Sequence, residues 1–191
     1  MRSQWNVAAI TLGLLLSPVL ITLSADDQPP LEKDPEATIK ESLEKLPEAD
    51  RKLAEVQRYC ATETTSRLGS MGVPIKLEIS GKSVFVCCGD CKQAALADPK
   101  ATLAQVEKLK KIATAMGKLT PEDRTLAEKQ AFCAVQTKNR LGSMGAPIKL
   151  AIKGEPVFLC CAGCKSKALA SPDKTLEQAR TLRNPKPQEK E

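Results

Sequence analysis

Apolar and polar positions alternate in part of the chain and recur at helical spacing in much of the rest. In Ile75–Ile79, apolar residues alternate with charged ones, which is the pattern of a strand buried on one face. Ser80-Gly81 predicts a tight turn, and the apolar run Val84–Cys87 predicts a second strand that returns beside the first. Together these segments predict a β-hairpin.

Helices are predicted on both sides of this hairpin. One ends at about Tyr59, and a shorter one begins at about Asp90 and stops at Asp98-Pro99. A longer pattern of apolar positions predicts a further helix from Thr102 to about Met116. The predicted order is therefore helix, loop, hairpin and helix, with one more helix after them.

The same pattern recurs in the second half of the chain. The LGSMG of Leu68–Gly72 is repeated at Leu141–Gly145, and the PIKL of Pro74–Leu77 is repeated at Pro147–Leu150. Both pairs are 73 residues apart, and a fixed period of this kind indicates two copies of one supersecondary unit. The second copy is expected to have a helix start at Thr120, a turn at Lys153-Gly154, a helix from Gly163 to Ser171-Pro172 and a last helix from Thr175 to about Leu182.

The predicted fold class is α+β, with two tandem modules that each have a helix–β-hairpin–helix order. The helix from Thr102 to about Met116 is expected to bridge the two copies. The modules are placed at residues 47–116 and 117–183, and a polar tail, 184–191, follows them. Residues 26–46 are an acidic, proline-containing linker. Within the linker, residues 37–46 have a helical pattern, which would either dock on a module or stay in solvent.

Residues 1–25 have the pattern of a signal peptide. Arg2 provides positive charge, an uncharged stretch runs from Val7 to Leu23, and small residues precede Asp26. The alternative is an uncleaved membrane anchor, because the stretch is almost long enough to span a bilayer. After cleavage, we expect an exported protein without a membrane span, in the periplasm or outside the cell.

Composition narrows the possible chemistry. The chain has 191 residues, eight cysteines, no histidine and a formal net charge of +6. Without histidine, neither a Ser-His-Asp triad nor an imidazole metal ligand is possible. Export, few aromatic residues and no recognisable nucleic-acid motif argue that the basic charge does not serve nucleic-acid binding. We therefore expect neither enzymatic activity nor a nucleic-acid partner.

The eight cysteines are the candidate metal ligands. Each copy has one lead cysteine, then two adjacent cysteines, then a fourth three residues later, and the last two straddle a predicted helix start. Side chains three residues apart share a helix face, and the positive end of the helix favours thiolate. The predicted ligands are Cys60, Cys87, Cys88 and Cys91 in the first copy and Cys133, Cys160, Cys161 and Cys164 in the second.

The number of ligands bears on the choice of ion. Neighbouring residues of a strand point to opposite faces, so Cys87 and Cys88 both reach one ion only if the strand ends at Cys87. Four thiolates suit zinc, whereas three suit Cu(I). We expect zinc or Cu(I), with two ions per chain, and the sequence leaves the choice between them open.

Other functions for the same residues stay open. Exported proteins with an even number of cysteines commonly contain disulfides, so the modules could be stapled structural or interaction units of the cell envelope, without metal. Cys88–Cys91 and Cys161–Cys164 are also C-x-x-C motifs, as in thiol oxidoreductases, although the surrounding βαβ pattern is missing. Met71 and Met144 could add thioether ligands, but a loop methionine more often packs under its turn.

The cysteine pattern resembles the TRASH and YHS group of domains. The resemblance rests on the lead cysteine, the hairpin, the segments VFVCCGDC and VFLCCAGC, and the short helix that follows, and it covers about residues 58–104 and 131–177. It implies treble-clef-like modules for heavy-metal sensing, trafficking or resistance. The family's lead cysteine matches Cys60 and Cys133, its spaced pair matches Cys87 with Cys91 and Cys160 with Cys164, and Cys88 and Cys161 are additional. The expected role is metal sequestration, delivery or sensing, with another envelope metal-handling protein as partner.

Overall fold

The computed structural model describes residues 34–184, which contain seven helices and four strands. The mixed α+β class is confirmed. The predictions for the signal peptide, the start of the linker and the tail after Asn184 lie outside the described residues. In chain order the elements are α1 (Pro35–Glu44), α2 (Glu48–Gln57), β1 (Ile75–Ile79), β2 (Lys82–Val86), α3 (Gly89–Ala97), α4 (Pro99–Met116), α5 (Pro121–Gln130), β3 (Ile148–Ile152), β4 (Glu155–Leu159), α6 (Gly163–Ala170) and α7 (Pro172–Arg183).

The strands form two separate antiparallel hairpins, as predicted. In the first, Ile75 lies opposite Val86, and the turn has a φ of 50° at Ser80 and 72° at Gly81. Two successive positive φ angles are the geometry that a tight hairpin turn requires. The second hairpin, β3–β4, has the same geometry at Lys153-Gly154. Each returning strand is almost fully buried at its last three residues and so supplies the centre of a hydrophobic core.

Helices α4 and α7 begin three residues earlier than the apolar pattern predicts. Each begins with a proline, Pro99 or Pro172, and the first turn of a helix tolerates proline because its N–H has no partner there. Asp98 caps α4 by accepting a hydrogen bond from the Ala101 N–H at 2.9 Å. The Asp98-Pro99 signal therefore ends α3 and starts α4 without a loop between them.

Helix α1 docks on the first module, which settles the alternative that the sequence left open for residues 37–46. Ile39 and Leu43 are buried in the same cluster as the first hairpin. Gly69 lies directly against α1, with a φ of 93°, and a Cβ at this position would be 2.8 Å from the carbonyl oxygen of Ile39. Glycine is therefore needed here both for the backbone angle and for the close approach.

Helix α4 is shared between the two modules. Val106 packs in the first hydrophobic core, whereas Leu109 and Ile112 pack in the second. Gly142 lies against Ile112 in the way that Gly69 lies against α1. The second half of α4 thus packs on the glycine loop and core of the second module, as α1 packs on those of the first. This helix therefore contributes to both hydrophobic cores.

A buried glutamine at the end of the preceding helix forms hydrogen bonds to each hairpin. Gln57 Nε2 donates to the carbonyl oxygens of Tyr59 and Phe85 at 2.8 and 2.6 Å, and its Oε1 accepts from the Phe85 N–H at 3.0 Å. Gln130 makes the equivalent three bonds in the second copy. Because Cys60 follows Tyr59 directly, these bonds place the lead cysteine beside the hairpin.

A cluster of charged side chains joins the two modules. Glu128 on α5 accepts hydrogen bonds from Arg58 Nε at 2.6 Å, the Tyr59 hydroxyl at 2.9 Å and an Arg67 guanidinium nitrogen at 2.7 Å. The Arg140 guanidinium lies over the Tyr59 ring, 4.5 Å from its centroid. The described part of both modules lies in one compact unit. Within residues 34–184, no helix has the length and hydropathy needed to cross a membrane.

Candidate metal centres

Three cysteines of the first module meet in the folded chain. Cys60 follows α2, Cys87 directly follows β2, and Cys91 lies in the first turn of α3. Their sulfur atoms all lie within 4.8 Å of one another, and the Sγ atoms of Cys87 and Cys91 are 3.6 Å apart. Cys60 and Cys87 are buried, and Cys91 is partly exposed. These three thiols, which we name triad 1, could hold a metal ion.

The second module has an equivalent group, triad 2, made of Cys133, Cys160 and Cys164. Its sulfur atoms also lie within 4.8 Å of one another, with 3.8 Å between the Sγ atoms of Cys160 and Cys164. All three side chains are buried. Triad 2 therefore offers a metal ion the same donor set as triad 1, in a more enclosed position.

The fourth cysteine of each module lies outside its triad. Cys88 has extended backbone angles and caps α3, with its Sγ accepting a hydrogen bond from the Cys91 N–H at 3.4 Å. β2 ends before Cys87, and Cys88 itself has an extended backbone, with φ −155° and ψ 172°. Cys161 lies closer to its triad, with its Sγ 3.9 Å from those of both Cys160 and Cys164. Of the eight predicted ligands, the structure thus groups six into triads.

All eight cysteines are free thiols. The neighbouring sulfurs in the triads are 3.6 and 3.8 Å apart, whereas a disulfide bond is about 2.05 Å long. Sulfurs that surround a zinc ion with Zn–S bonds of about 2.3 Å are separated by distances close to those in the triads.

Hydrogen bonds favour the thiolate form of both lead cysteines. Cys60 Sγ lies 3.5 Å from the Thr62 hydroxyl and accepts from the Cys87 N–H at 3.4 Å. Burial opposes ionisation of Cys60, but these donors outweigh it, so the pKa lies below its ordinary value. In triad 2, burial of Cys133 is likewise outweighed by backbone N–H groups, including that of Gln136 at 3.3 Å, and its pKa is lowered.

The other triad members have the opposite shift. Burial raises the pKa of Cys87, Cys91, Cys160 and Cys164, and for Cys87 and Cys164 the neighbouring lead cysteine raises it further. Several thiolates cannot share a small apolar space without a cation, because their negative charges repel one another. A bound metal ion removes that repulsion and displaces the protons.

Metal affinity is therefore expected to fall steeply as the pH is lowered. Two thiols in each triad have raised pKa values, so they are protonated near neutral pH and must each release a proton when metal binds. The release of at least two protons weakens binding by about a hundredfold or more for each pH unit of acidification. Competition titrations against a chromophoric chelator at several pH values, corrected for the chelator's own protonation, measure this slope. Affinity that does not change with pH would contradict the prediction.

The expectation that the loop methionines pack under their turns is wrong. Met71 is 63% exposed and Met144 is 59% exposed, although both belong to tight loops. In the second module the Asn139 Nδ2 lies 3.9 Å from Met144 Sδ and also 3.9 Å from Cys160 Sγ. The methionine loop is therefore close to triad 2 and leaves its thioether in solvent.

No family model matches this chain, and neither a curated protein nor a solved structure does. The resemblance to TRASH and YHS domains, and the treble-clef-like architecture that it implies, therefore stay predictions. Any functional proposal depends on the chemistry and geometry of the triads.

Some residues around the triads were missed by sequence reasoning. Thr62 and Asn139 make polar contacts to sulfur, but neither residue is repeated in the other copy. Val135 lies at the position equivalent to Thr62, and Ser66 lies at the position equivalent to Asn139. Without a shared pattern, neither residue is recognisable. The buried glutamines, by contrast, recur at the repeat period three residues before each lead cysteine. That recurrence was a usable signal.

Proposed function

We propose that this chain is a non-catalytic carrier that binds one soft metal ion, Cu(I) or Zn(II), at each of its two cysteine triads. The observation that supports this best is the convergence of three thiols from three separate elements in each half, with all sulfurs within 4.8 Å. Thiolate sulfur is the donor that soft ions prefer over the oxygen ligands chosen by Mg²⁺ and Ca²⁺.

The geometry supports a site with three thiolates more directly than one with four. Cys88 is engaged as a helix cap, and Cys161 lies beside triad 2 but outside it. Three thiolates favour Cu(I), whereas zinc would recruit a fourth ligand, either the nearby cysteine or water. Both ions remain part of the proposal, which covers metal sequestration, delivery or sensing.

The proposed compartment and partner are supported by the sequence rather than by the triads. The signal-peptide pattern of residues 1–25 supports export, and an exported metal carrier needs a second metal-handling protein to supply or receive its ion. We therefore propose that the protein works in the periplasm or outside the cell.

Metal analysis tests the proposed function. The chain is purified under reducing conditions, exposed to Cu(I) or Zn(II), passed over a desalting column and analysed for metal per chain. We expect about two tightly held ions, one for each triad. Alkylation of the thiols before and after loading provides a second readout, because bound metal protects its ligands.

Two results would exclude the proposal. Absence of bound metal, together with almost no free thiol before reduction, would indicate disulfide-stapled modules. Absence of metal with one rapidly alkylated cysteine in each module would indicate a thiol oxidoreductase, because such enzymes depend on an accessible, low-pKa thiolate.

A further inference from the structure

The two methionine loops leave a large apolar side chain in solvent at the same place in both modules. Met71 and Met144 are more than half exposed, and each lies in an LGSMG segment that is identical in the two copies. The leucine that opens each segment, Leu68 or Leu141, is almost fully buried and anchors the loop. Since the methionine itself adds almost nothing to the core, packing does not account for its presence in either loop.

The loop fixes the backbone of this methionine. Gly142 and Gly145 have φ angles of 88° and 111° on either side of it. Ser143 donates to the Arg140 carbonyl oxygen through both its backbone N–H, at 3.2 Å, and its hydroxyl, at 2.6 Å. The first module has the same glycine angles and the same serine bonds to Arg67. The backbone therefore presents the thioether outward in both copies.

The exposed thioether lies near the thiolates of triad 2. Asn139 Nδ2 is 3.9 Å from Met144 Sδ and 3.9 Å from Cys160 Sγ, so the two sulfur atoms are at most 7.8 Å apart, the sum of those distances. Met144 has three flexible side-chain bonds in solvent, and rotation about them can change this separation. An ion bound to the Met144 thioether is thus only a few ångströms from the buried Cys160 thiol.

We propose that Met144 forms an outer capture site for Cu(I), from which the ion passes to triad 2, and that Met71 provides the equivalent exposed thioether in the first module. This inference rests on the proposed function and selects Cu(I) as the cargo. A thioether is a soft, uncharged donor that copper accepts, whereas zinc sites use thiolate, imidazole and carboxylate ligands. In the transfer step the bond from copper to Met144 Sδ breaks and a bond to Cys160 Sγ forms. The thiol proton goes to water, and copper stays Cu(I).

A thioether has no proton to lose, so capture of Cu(I) at Met144 releases none. Proton release belongs to the later transfer step, in which a thiol becomes a thiolate ligand.

Loading kinetics of the Met71→Leu/Met144→Leu double variant test this proposal, because leucine keeps the size and apolar character of the side chain. Stopped-flow absorption follows the copper–thiolate band as Cu(I) is added from its acetonitrile complex, and a chromophoric chelator follows Zn(II) in parallel. We expect Cu(I) loading to slow by about tenfold, the lower end of the effect of removing a group that supports a metal site. Zn(II) loading and the final content of two ions per chain are expected to stay unchanged.

Val73→Ala is the matched control, since Val73 is an exposed apolar residue just after the first methionine loop. This control is expected to load both ions as the unmodified chain does. The proposal is overturned if the double variant loads Cu(I) at the unmodified rate, or if it slows Cu(I) and Zn(II) equally, which would indicate a purely structural loop. If the unmodified chain binds no metal, the proposed function fails as well, so the two failures are distinguishable.

Discussion

Replacing Cys60 with serine is expected to lower the metal content from about two ions per chain to about one, and replacing Cys133 is expected to do the same. Each lead cysteine is the one triad member that precedes its hairpin in the chain, and serine does not supply a soft thiolate. Structural thiolate sites bind zinc with apparent free energies of about 10–16 kcal/mol, so the loss of one ligand removes a large part of the binding energy. Metal per chain after desalting measures the effect.

The fourth cysteines provide the control for this prediction. Cys88→Ser is expected to leave about two ions bound, because its sulfur caps α3 instead of belonging to triad 1. Cys161→Ser is expected to leave two ions bound as well, with a larger loss of affinity because of its 3.9 Å distances to two triad sulfurs. If Cys88→Ser removed an ion as completely as Cys60→Ser, the three-thiolate account would be wrong.

Glu128→Gln is expected to lower the free energy of unfolding by about 3 kcal/mol or more. The Glu128 side chain is 9% exposed and pairs with two guanidinium groups that are nearly as buried, those of Arg58 and Arg67. Arg67 also pairs with Glu36, at 2.9 Å. Glu128→Gln leaves Arg58 without an acid partner among the described residues, and breaking a buried ion pair in this way typically costs about 3–5 kcal/mol. Urea unfolding of the two proteins in the same metal-free, reducing buffer measures the difference.

Glu55→Gln is the matched control, because Glu55 is the counterpart of Glu128 in the first copy and is exposed to solvent. A surface change of this kind is expected to stay within about 0.5 kcal/mol. Acid provides a second test. The pKa of Glu128 is below its ordinary value, because Arg58 and Arg67 outweigh the effect of burial, so its stabilisation is present above the unfolded-state pKa and is lost as the pH falls through the folded-state value. Equal effects of both substitutions would contradict the role assigned to the cluster.

The elements that the sequence predicted best are those with local signals. Alternation in Ile75–Ile79 and the Ser80-Gly81 turn define a hairpin without any long-range information, and the hairpin is present as predicted. Helix starts were less well predicted, because Pro99 follows a stop signal and was taken to end one helix only. A proline can end one helix and also occupy the first turn of the next helix.

The arrangement of the modules could not be predicted from local patterns. The Glu128 cluster joins residues about 70 positions apart, and its partners Arg58 and Tyr59 are replaced in the second copy by Ala131 and Phe132. The repeat therefore carries no signal for this interface. A helix that bridges the two copies was predicted, but a single uninterrupted helix gives no sign that its two halves pack in different cores.

The candidate site was predicted in composition but not in geometry. The lead cysteine, the cysteine after the strand and the last cysteine of each module were all among the predicted ligands, and they form the triads. Whether Cys88 points toward the triad depends on the backbone angles after the strand, and the adjacent Cys-Cys pair in the sequence does not determine those angles. Met144 was expected to be buried, because loop methionines more often pack under their turns, but its side chain is exposed.

The central claim is that three thiolates in each half surround one ion, and X-ray absorption of the metal-loaded chain tests it most directly. We expect about three sulfur neighbours for each bound ion, at about 2.3 Å if the ion is zinc. Histidine is absent from the chain, so a nitrogen or oxygen shell could come only from carboxylates, backbone or water. A first shell made mostly of such light atoms, or one with fewer than three sulfurs, would contradict the account.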